Sequence, residues 1–250
     1  MLSPQFGGGT SNVEYEILSG HSMTLFPGGS SPYQQYVHKP LPSLASYFTG
    51  LGYHSMAIHS YEGWFWNRQS VYKNMGFHSF MSKQYFEKPE YKGHFISDAE
   101  VSRTIIDKID TTDEPSFIYA VTMQNHGPYA DMRYGENPIK VTGNLNEGGT
   151  MIAETYTHGA YDADQSLQML IDHYKDSDEP TIFIFYGDHM PMLGNDYDVY
   201  VQSGFVSTGV KSDWTLEEHR KMHSIPYVIW ANFELPQESR PIISSSFLGA

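Results

Sequence analysis

The sequence predicts an α/β fold with a central, mostly parallel sheet flanked by helices, and three observations carry that prediction. Apolar strand candidates recur along the chain, each followed by a polar turn and a helical pattern, the order that βαβ units impose. The run Thr181-Ile182-Phe183-Ile184-Phe185-Tyr186 is almost continuously apolar, which reads as a strand buried on both faces of a parallel sheet. Three of the best strand candidates lead into histidines: His59, His126 and the pair Asp188-His189. Ligands of open α/β sheets bind outside the carboxyl ends of the strands, so these loops are expected to converge on one crevice.

Taken in order, the elements begin with Gly7-Gly8-Gly9, a flexible turn that runs into Thr10 at the mouth of a helix. Ser11 as N-cap and Glu14 three residues on read as a capping box. Pro42 to Phe48 reads as a second helix closed by Gly50 or Gly52, followed by a strand from Tyr53 to Ile58. Trp66 to Met75 is weakly helical, and Asp98 to Ile109 is amphipathic, with Val101, Ile105 and Ile109 on one face. Phe117 to Met123 is a strand candidate running into Gln124-Asn125-His126-Gly127-Pro128. After a polar loop at about 135–150, Met151 to Tyr174 is the longest helical pattern, with Leu167, Leu170 and Ile171 on one face. A charged helix near Thr215 to His223 precedes a last strand, Pro226 to Trp230.

The chain has 250 residues, of which 40% are hydrophobic and 15% aromatic, enough for one core and too apolar for a disordered chain. No linker or repeat divides it, so residues 1–250 read as one domain. With 15 Lys+Arg against 29 Asp+Glu the net charge is −14, the opposite of the basic footprint of a nucleic-acid binder. There is no cysteine, which excludes a disulfide scaffold, a thiolate zinc site, a cysteine nucleophile and a cysteine-derived formylglycine.

Asp188 and His189 pair a hard carboxylate with an imidazole, a combination that suits Mn²⁺ or Zn²⁺ better than Ca²⁺; the plainer reading is a polar turn with Asp188 capping a helix. Thr10 lies where helix N–H groups favour an anion, and a bound metal would make its hydroxyl a nucleophile. Arg68 is suited to bidentate phosphate recognition, its plainer role being a surface salt bridge with Glu62 or another carboxylate. Trp64 and Phe65 read as core packing under the loop. Glu14 and Glu16 read as helix-start residues, and Asp162, Asp164 and Asp172 as a solvated helix face.

Together, Gly7-Gly8-Gly9-Thr10-Ser11-Asn12-Val13-Glu14, His59 with Phe65-Trp66-Asn67-Arg68, Asn125-His126-Gly127-Pro128 and Tyr186-Gly187-Asp188-His189 resemble the extracellular catalytic domain of the lipoteichoic acid synthase family. These are phosphoglycerol transferases of the sulfatase and alkaline phosphatase superfamily, and the motifs fall in the family's order over nearly the whole chain. The resemblance implies a Thr10 nucleophile that also binds Mn²⁺, Mg²⁺ being the alternative, with Asp188 and His189 as further ligands. It implies that His59, Trp66, Arg68 and His126 hold the glycerol phosphate. The implied reaction takes phosphoglycerol from the head group of phosphatidylglycerol through a phosphothreonine-type intermediate to a polyglycerol phosphate or glycan acceptor, at the extracellular face of the cell membrane, with membrane anchorage outside these residues.

One departure stands out. The family carries a further acidic metal ligand at the end of a strand upstream of the threonine, and nothing in Met1 to Gly9 supplies it; the tail after Ile243 stops where the family continues. The resemblance therefore implies an alkaline-phosphatase-like domain truncated at both edges, its first metal-ligand strand absent. The competing readings are a phosphodiesterase or sulfatase-like hydrolase on the same scaffold, and a non-catalytic module binding glycan or teichoic acid. A true sulfatase needs Cys or Ser in a C/S-x-P-x-R context, which this chain lacks.

Overall fold

The computed structural model describes residues 1–236 and 242–249. Its helices are α1 (Thr10–Ser19), α2 (Pro32–Gln35), α3 (Leu44–Gly50), α4 (Arg68–Asn74), α5 (Asp98–Asp110), α6 (Glu147–Tyr174), α7 (Asp198–Gln202) and α8 (Leu216–His223). Its strands are β1 (His54–His59), β2 (Ser79–Ser82), β3 (Tyr91–Lys92), β4 (Phe95–Ile96), β5 (Ser116–Val121), β6 (Ile182–Tyr186) and β7 (Tyr227–Ala231). The parallel sheet has the order β2-β1-β5, with Ile58 opposite Met81 on one side and Ala120 on the other. Helices cover both faces, as parallel strands require. Val13, Leu18, Tyr33, Ala57, Val71 and Tyr72 fill the core on one side, and Ile58, Ile96, Val101, Ile105 and Leu170 fill it on the other.

The strand at Thr181–Tyr186 departs from expectation. Ile182–Tyr186 runs antiparallel to β7, with Ile184 opposite Ile229, and is not enclosed: Ile182 and Ile184 are 50% and 45% exposed. An apolar run reports strand propensity but not the direction of the neighbour, and here it serves a two-stranded ribbon with one open face. Among the described residues β5 pairs only with β1 and β6 only with β7, so the sheets meet through side chains. The Tyr119 and Tyr186 hydroxyls lie 2.9 Å apart, and Phe183 from β6 and Ile118 and Ala120 from β5 pack against the same buried cluster.

The start of α1 also differs. Gly7, Gly8 and Gly9 all adopt positive φ, and Gly9, at φ 96°, caps the helix without a side-chain bond. The expected capping box does not form, because Glu14 turns away from the helix start into the core. Capping boxes appear instead at Ser43–Ser46 and Thr215–Glu218. The α6 helix begins four residues before the expected Met151, where Asn146 accepts the Gly149 N–H at 2.8 Å.

The loop after β5 packs onto the middle of α6. Asn125 Nδ2 donates to Tyr156 O at 3.2 Å, and the Asn125 side chain lies flat on Gly159, where a Cβ would overlap its Oδ1. Helix propensity alone makes Gly159→Ala stabilising by about 1 kcal/mol. We expect the overlap to prevail and the variant to lose about 1–3 kcal/mol in urea unfolding; an unfolding midpoint at or above wild type would show that Asn125 yields freely.

Candidate active site

Thr10 is the first residue of α1, and its hydroxyl donates to Asp188 Oδ2 at 2.6 Å. Asp188 and His189 follow β6, and His189 Nε2 lies 3.2 Å from that same Oδ2. His189 Nδ1 is 3.0 Å from the Met190 carbonyl; a carbonyl only accepts, so Nδ1 carries a proton. Nε2 and Oδ2 face each other beside the Thr10 hydroxyl, an arrangement that a proton or a cation between them would stabilise. Imidazoles that bind metals are commonly oriented by such a carbonyl on the other nitrogen. Among the described residues no three His, Asp or Glu side chains gather into a metal cluster, so Thr10, Asp188 and His189 form a compact but short donor set.

His59 and Arg68 come together beneath this helix. Arg68 Nε donates to Glu14 Oε1 at 3.1 Å, Nη2 donates to the same oxygen, and Tyr72 donates its hydroxyl to Glu14 Oε2 at 2.6 Å. Arg68 Nη1 donates to His59 Nε2 at 3.2 Å and lies 3.4 Å from Phe65 O. His59 Nδ1 is 3.0 Å from Val121 O. Arginine only donates and a carbonyl only accepts, so His59 is the neutral Nδ1–H tautomer. Burial, reinforced by the Arg68 charge, pushes its pKa down to about 4.

These positions correct several expectations. Arg68 is 1% exposed, and its carboxylate partner is Glu14 in a buried pair and not a surface salt bridge, while Glu62 reaches Lys83. Its N–H groups are engaged inside the protein, so it is a buried brace and not an exposed fork for a phosphate. Glu14 and Glu16 are not helix-start solvent residues: Glu16 is buried, accepting from Met23 N and from the Ser22 and Ser245 hydroxyls. Trp64, expected in the core, is 72% exposed.

Trp66 and His126 form the more open parts of the region. Trp66 is half-buried, and it and Asn67 adopt left-handed conformations, φ 57° and 58°, in the turn that Arg68 fastens through Phe65 O. His126 is exposed, edge-on to Phe95 with centroids 6.0 Å apart; Phe95 in turn contacts Tyr61, whose ring lies 6.2 Å from that of His59. The loop bearing His126 is pinned by Arg133, which donates to Gln124 O and His126 O, at 3.3 and 2.7 Å, and to Pro128 O. Gln124 anchors it from below, donating to Asp162 Oδ2 at 2.6 Å and accepting from Asp98 N at 2.8 Å. Asp162 also receives Lys92, so it is not the solvated helix residue expected.

Sequence reasoning thus missed Glu14, Tyr72, Arg133 and Asp162. Glu14 alone carried a legible signal: four residues after Thr10, it shares that residue's helix face.

A family model for sulfatases matches residues 1–250. The chain is 42% identical over 250 residues to a putative cyclic beta-1,2-glucan modification protein of Rhizobium meliloti strain 1021, spanning 99% of this chain and 38% of that protein. It is 23% identical over 193 residues to lipoteichoic acid synthase 2 of Bacillus subtilis strain 168, covering 75% of this chain and 28% of that one. Among solved structures it resembles the Streptococcus pyogenes phosphoglycerol transferase GacH in complex with sn-glycerol-1-phosphate, with TM-score 0.80, 25% identity, and coverage of 98% of this chain and 61% of that one. The Listeria monocytogenes lipoteichoic acid synthase LtaP shares the fold at TM-score 0.70 and 18% identity, over 91% of this chain and 54% of that chain. The chain spans well under half the length of these two curated relatives.

Two buried groups near the site oppose each other in acid. The folded protein keeps His59 neutral down to about pH 4, whereas an unfolded histidine with pKa 6.5 takes up a proton sooner, so acidification through that window destabilises. Burial pushes the Asp98 carboxyl from 3.8 up to about 6, so the folded protein takes up this proton first and acidification between those values stabilises. Asp98→Asn removes only the second effect. Urea unfolding from about pH 6 to 4 should show the variant losing stability more steeply than wild type, by on the order of 2 kcal/mol over the window; parallel profiles would contradict the raised Asp98 pKa.

Proposed function

This chain belongs to the sulfatase family, and we propose that it transfers glycerol phosphate from phosphatidylglycerol to a glycan acceptor at the outer face of the cell membrane. The observation that carries the reading is the Thr10 hydroxyl at a helix N-terminus, donating at 2.6 Å to an Asp188 oxygen that His189 also faces. Helix N-terminal N–H groups favour the phosphate there, and Asp188 orients the hydroxyl toward attack.

The residues divide the work by position. Thr10 Oγ1 forms a bond to phosphorus as the bond from phosphorus to the diacylglycerol oxygen breaks; that oxygen leaves with a proton, and phosphoglycerol remains on Thr10. A glycan hydroxyl then attacks the same phosphorus and gives up its proton as the Thr10 oxygen departs. His126, exposed on its pinned loop, is within the group expected to hold the glycerol phosphate and is suited to move these protons. Trp66, half-buried, would flank the glycerol phosphate, with the buried His59 and Arg68 behind it as support. Thr10, Asp188 and His189 are the residues that would hold a divalent cation, Mn²⁺ or Mg²⁺, which when bound would neutralise phosphate charge and favour the threonine alkoxide.

A glycan acceptor is preferred to polyglycerol phosphate because the 42%-identical relative is named for modification of a cyclic glucan. The exposed Trp64, edge-on to Phe65 at 6.1 Å, adds an apolar face such as a sugar ring packs against.

The test follows a fluorescent phosphatidylglycerol analogue with cyclic β-1,2-glucan as acceptor. Wild type should release diacylglycerol and yield phosphoglycerol-substituted glucan, and Thr10→Ala should lower turnover at least about 10³-fold. Turnover unchanged in Thr10→Ala would refute the nucleophile. Glycerol phosphate released to water with the glucan unmodified would make the protein a hydrolase, and no turnover by wild type would favour a binding module.

A further inference from the structure

Glu14 is an ionised-type side chain one helical turn below Thr10, 2% exposed, and the proposed chemistry leaves it without a task. Its two oxygens receive Arg68 and Tyr72, both from α4. Through Arg68 the carboxylate reaches two further segments: Phe65 O, in the turn that forces Trp66 and Asn67 into left-handed conformations, and His59 Nε2, at the end of β1. His59 in turn is bonded to Val121 O at the end of β5. One carboxylate therefore ties the helix that presents Thr10 to the wall bearing Trp66 and to two strand ends.

We propose that Glu14 is a positioning residue for phosphoglycerol transfer: by holding the Arg68 guanidinium it fixes the Thr10 helix against the Trp66 turn and keeps the Arg68 N–H on His59 Nε2. This rests on the transfer reading above. The logic is one of donor count. Arg68 is buried among groups that only accept, and without Glu14 nothing on α1 holds it in register; a buried guanidinium that loses its carboxylate reorients toward any other acceptor or toward water. His59 Nε2 then loses its donor, while Val121 O still holds the Nδ1–H. Thr10 and the wall lose their common tie, and misplacement of reacting groups by about 1 Å costs on the order of 10²-fold in rate.

The experiment uses ¹⁵N-histidine-labelled full chain. In wild type the His59 ring should show a protonated Nδ1 and a bare Nε2. In Glu14→Gln, which keeps the shape but removes the charge, the His59 Nε2 resonance should move downfield as it loses the Arg68 N–H while Nδ1 stays protonated, and kcat per folded molecule on the phosphatidylglycerol analogue should fall about 10²-fold. The His126 ring serves as the internal control for the loop it occupies. A folded Glu14→Gln protein with the wild-type His59 signature and kcat within about threefold would overturn the proposal. Should Glu14→Gln fail to fold, Tyr72→Phe decides: it removes one donor to Glu14, and is expected to perturb the His59 nitrogens and lower kcat about tenfold, an unchanged variant overturning the proposal. If wild type turns over no phosphatidylglycerol, the transfer reading falls by itself, while the His59 signature still confirms or overturns the hold of Glu14 on that ring.

Discussion

The buried ion pair between Glu14 and Arg68 is the interaction around which the candidate site is assembled. Taking a carboxylate and a guanidinium out of water costs several kcal/mol per ion, and the expense is offset only when geometry is good and remaining polar atoms are satisfied. Here Glu14 receives Arg68 and Tyr72, and the other Arg68 N–H groups find His59 and Phe65 O. Such a pair adds little net stability over an apolar replacement, but it is specific. It fits only when α1, α4 and the ends of β1 and β5 stand in one arrangement, and losing one partner strands the other at a cost of about 3–5 kcal/mol.

The same principle governs the His126 loop by other means. Residues 124–128 leave the sheet with carbonyls that no ladder satisfies, and Arg133 answers three of them from a side chain that is itself enclosed. Its charge is met by Asp131, and Phe95 and Tyr129 lie against the guanidinium. The loop thus gains the rigidity of a packed element while leaving the His126 ring at the surface. A site built from strand ends needs such supports, since the strands fix where a loop departs and not where its tip stands.

How far the sequence foretold this follows from the range of the signals it carries. The parallel strands β1 and β5, the amphipathic α5 and the long α6 were legible because hydrophobic periodicity is local. The Thr10, Asp188, His189 cluster was legible because glycine turns and strand ends announce where loops converge. Glu14 and Arg68 were misread for the opposite reason: 54 residues apart, each has a plausible local role, a cap for one and a surface salt bridge for the other, and only the packed core decides between partners. The same holds for Asp162, whose partners Lys92 and Gln124 lie 70 and 38 residues away. The β6 run misled because composition encodes strand formation while the hydrogen-bonding neighbour is set by topology.

The electrostatics of an anionic substrate in a chain of net charge −14 follow from the same pair. On sequence grounds Arg68 is the cation that attracts the phosphate against the global field. In the structure its charge is neutralised at contact distance by Glu14, so the pair acts outside the core as little more than a dipole. On the proposed reading, attraction for a phosphate falls to the N-terminus of α1 at Thr10 and to any cation that Asp188 and His189 would hold. Arg68 contributes shape, and the charge that would meet the substrate is concentrated where phosphorus would meet the threonine oxygen. On that reading a divalent cation between Thr10, Asp188 and His189 would serve substrate binding as well as chemistry, a task from which the pairing with Glu14 removes Arg68.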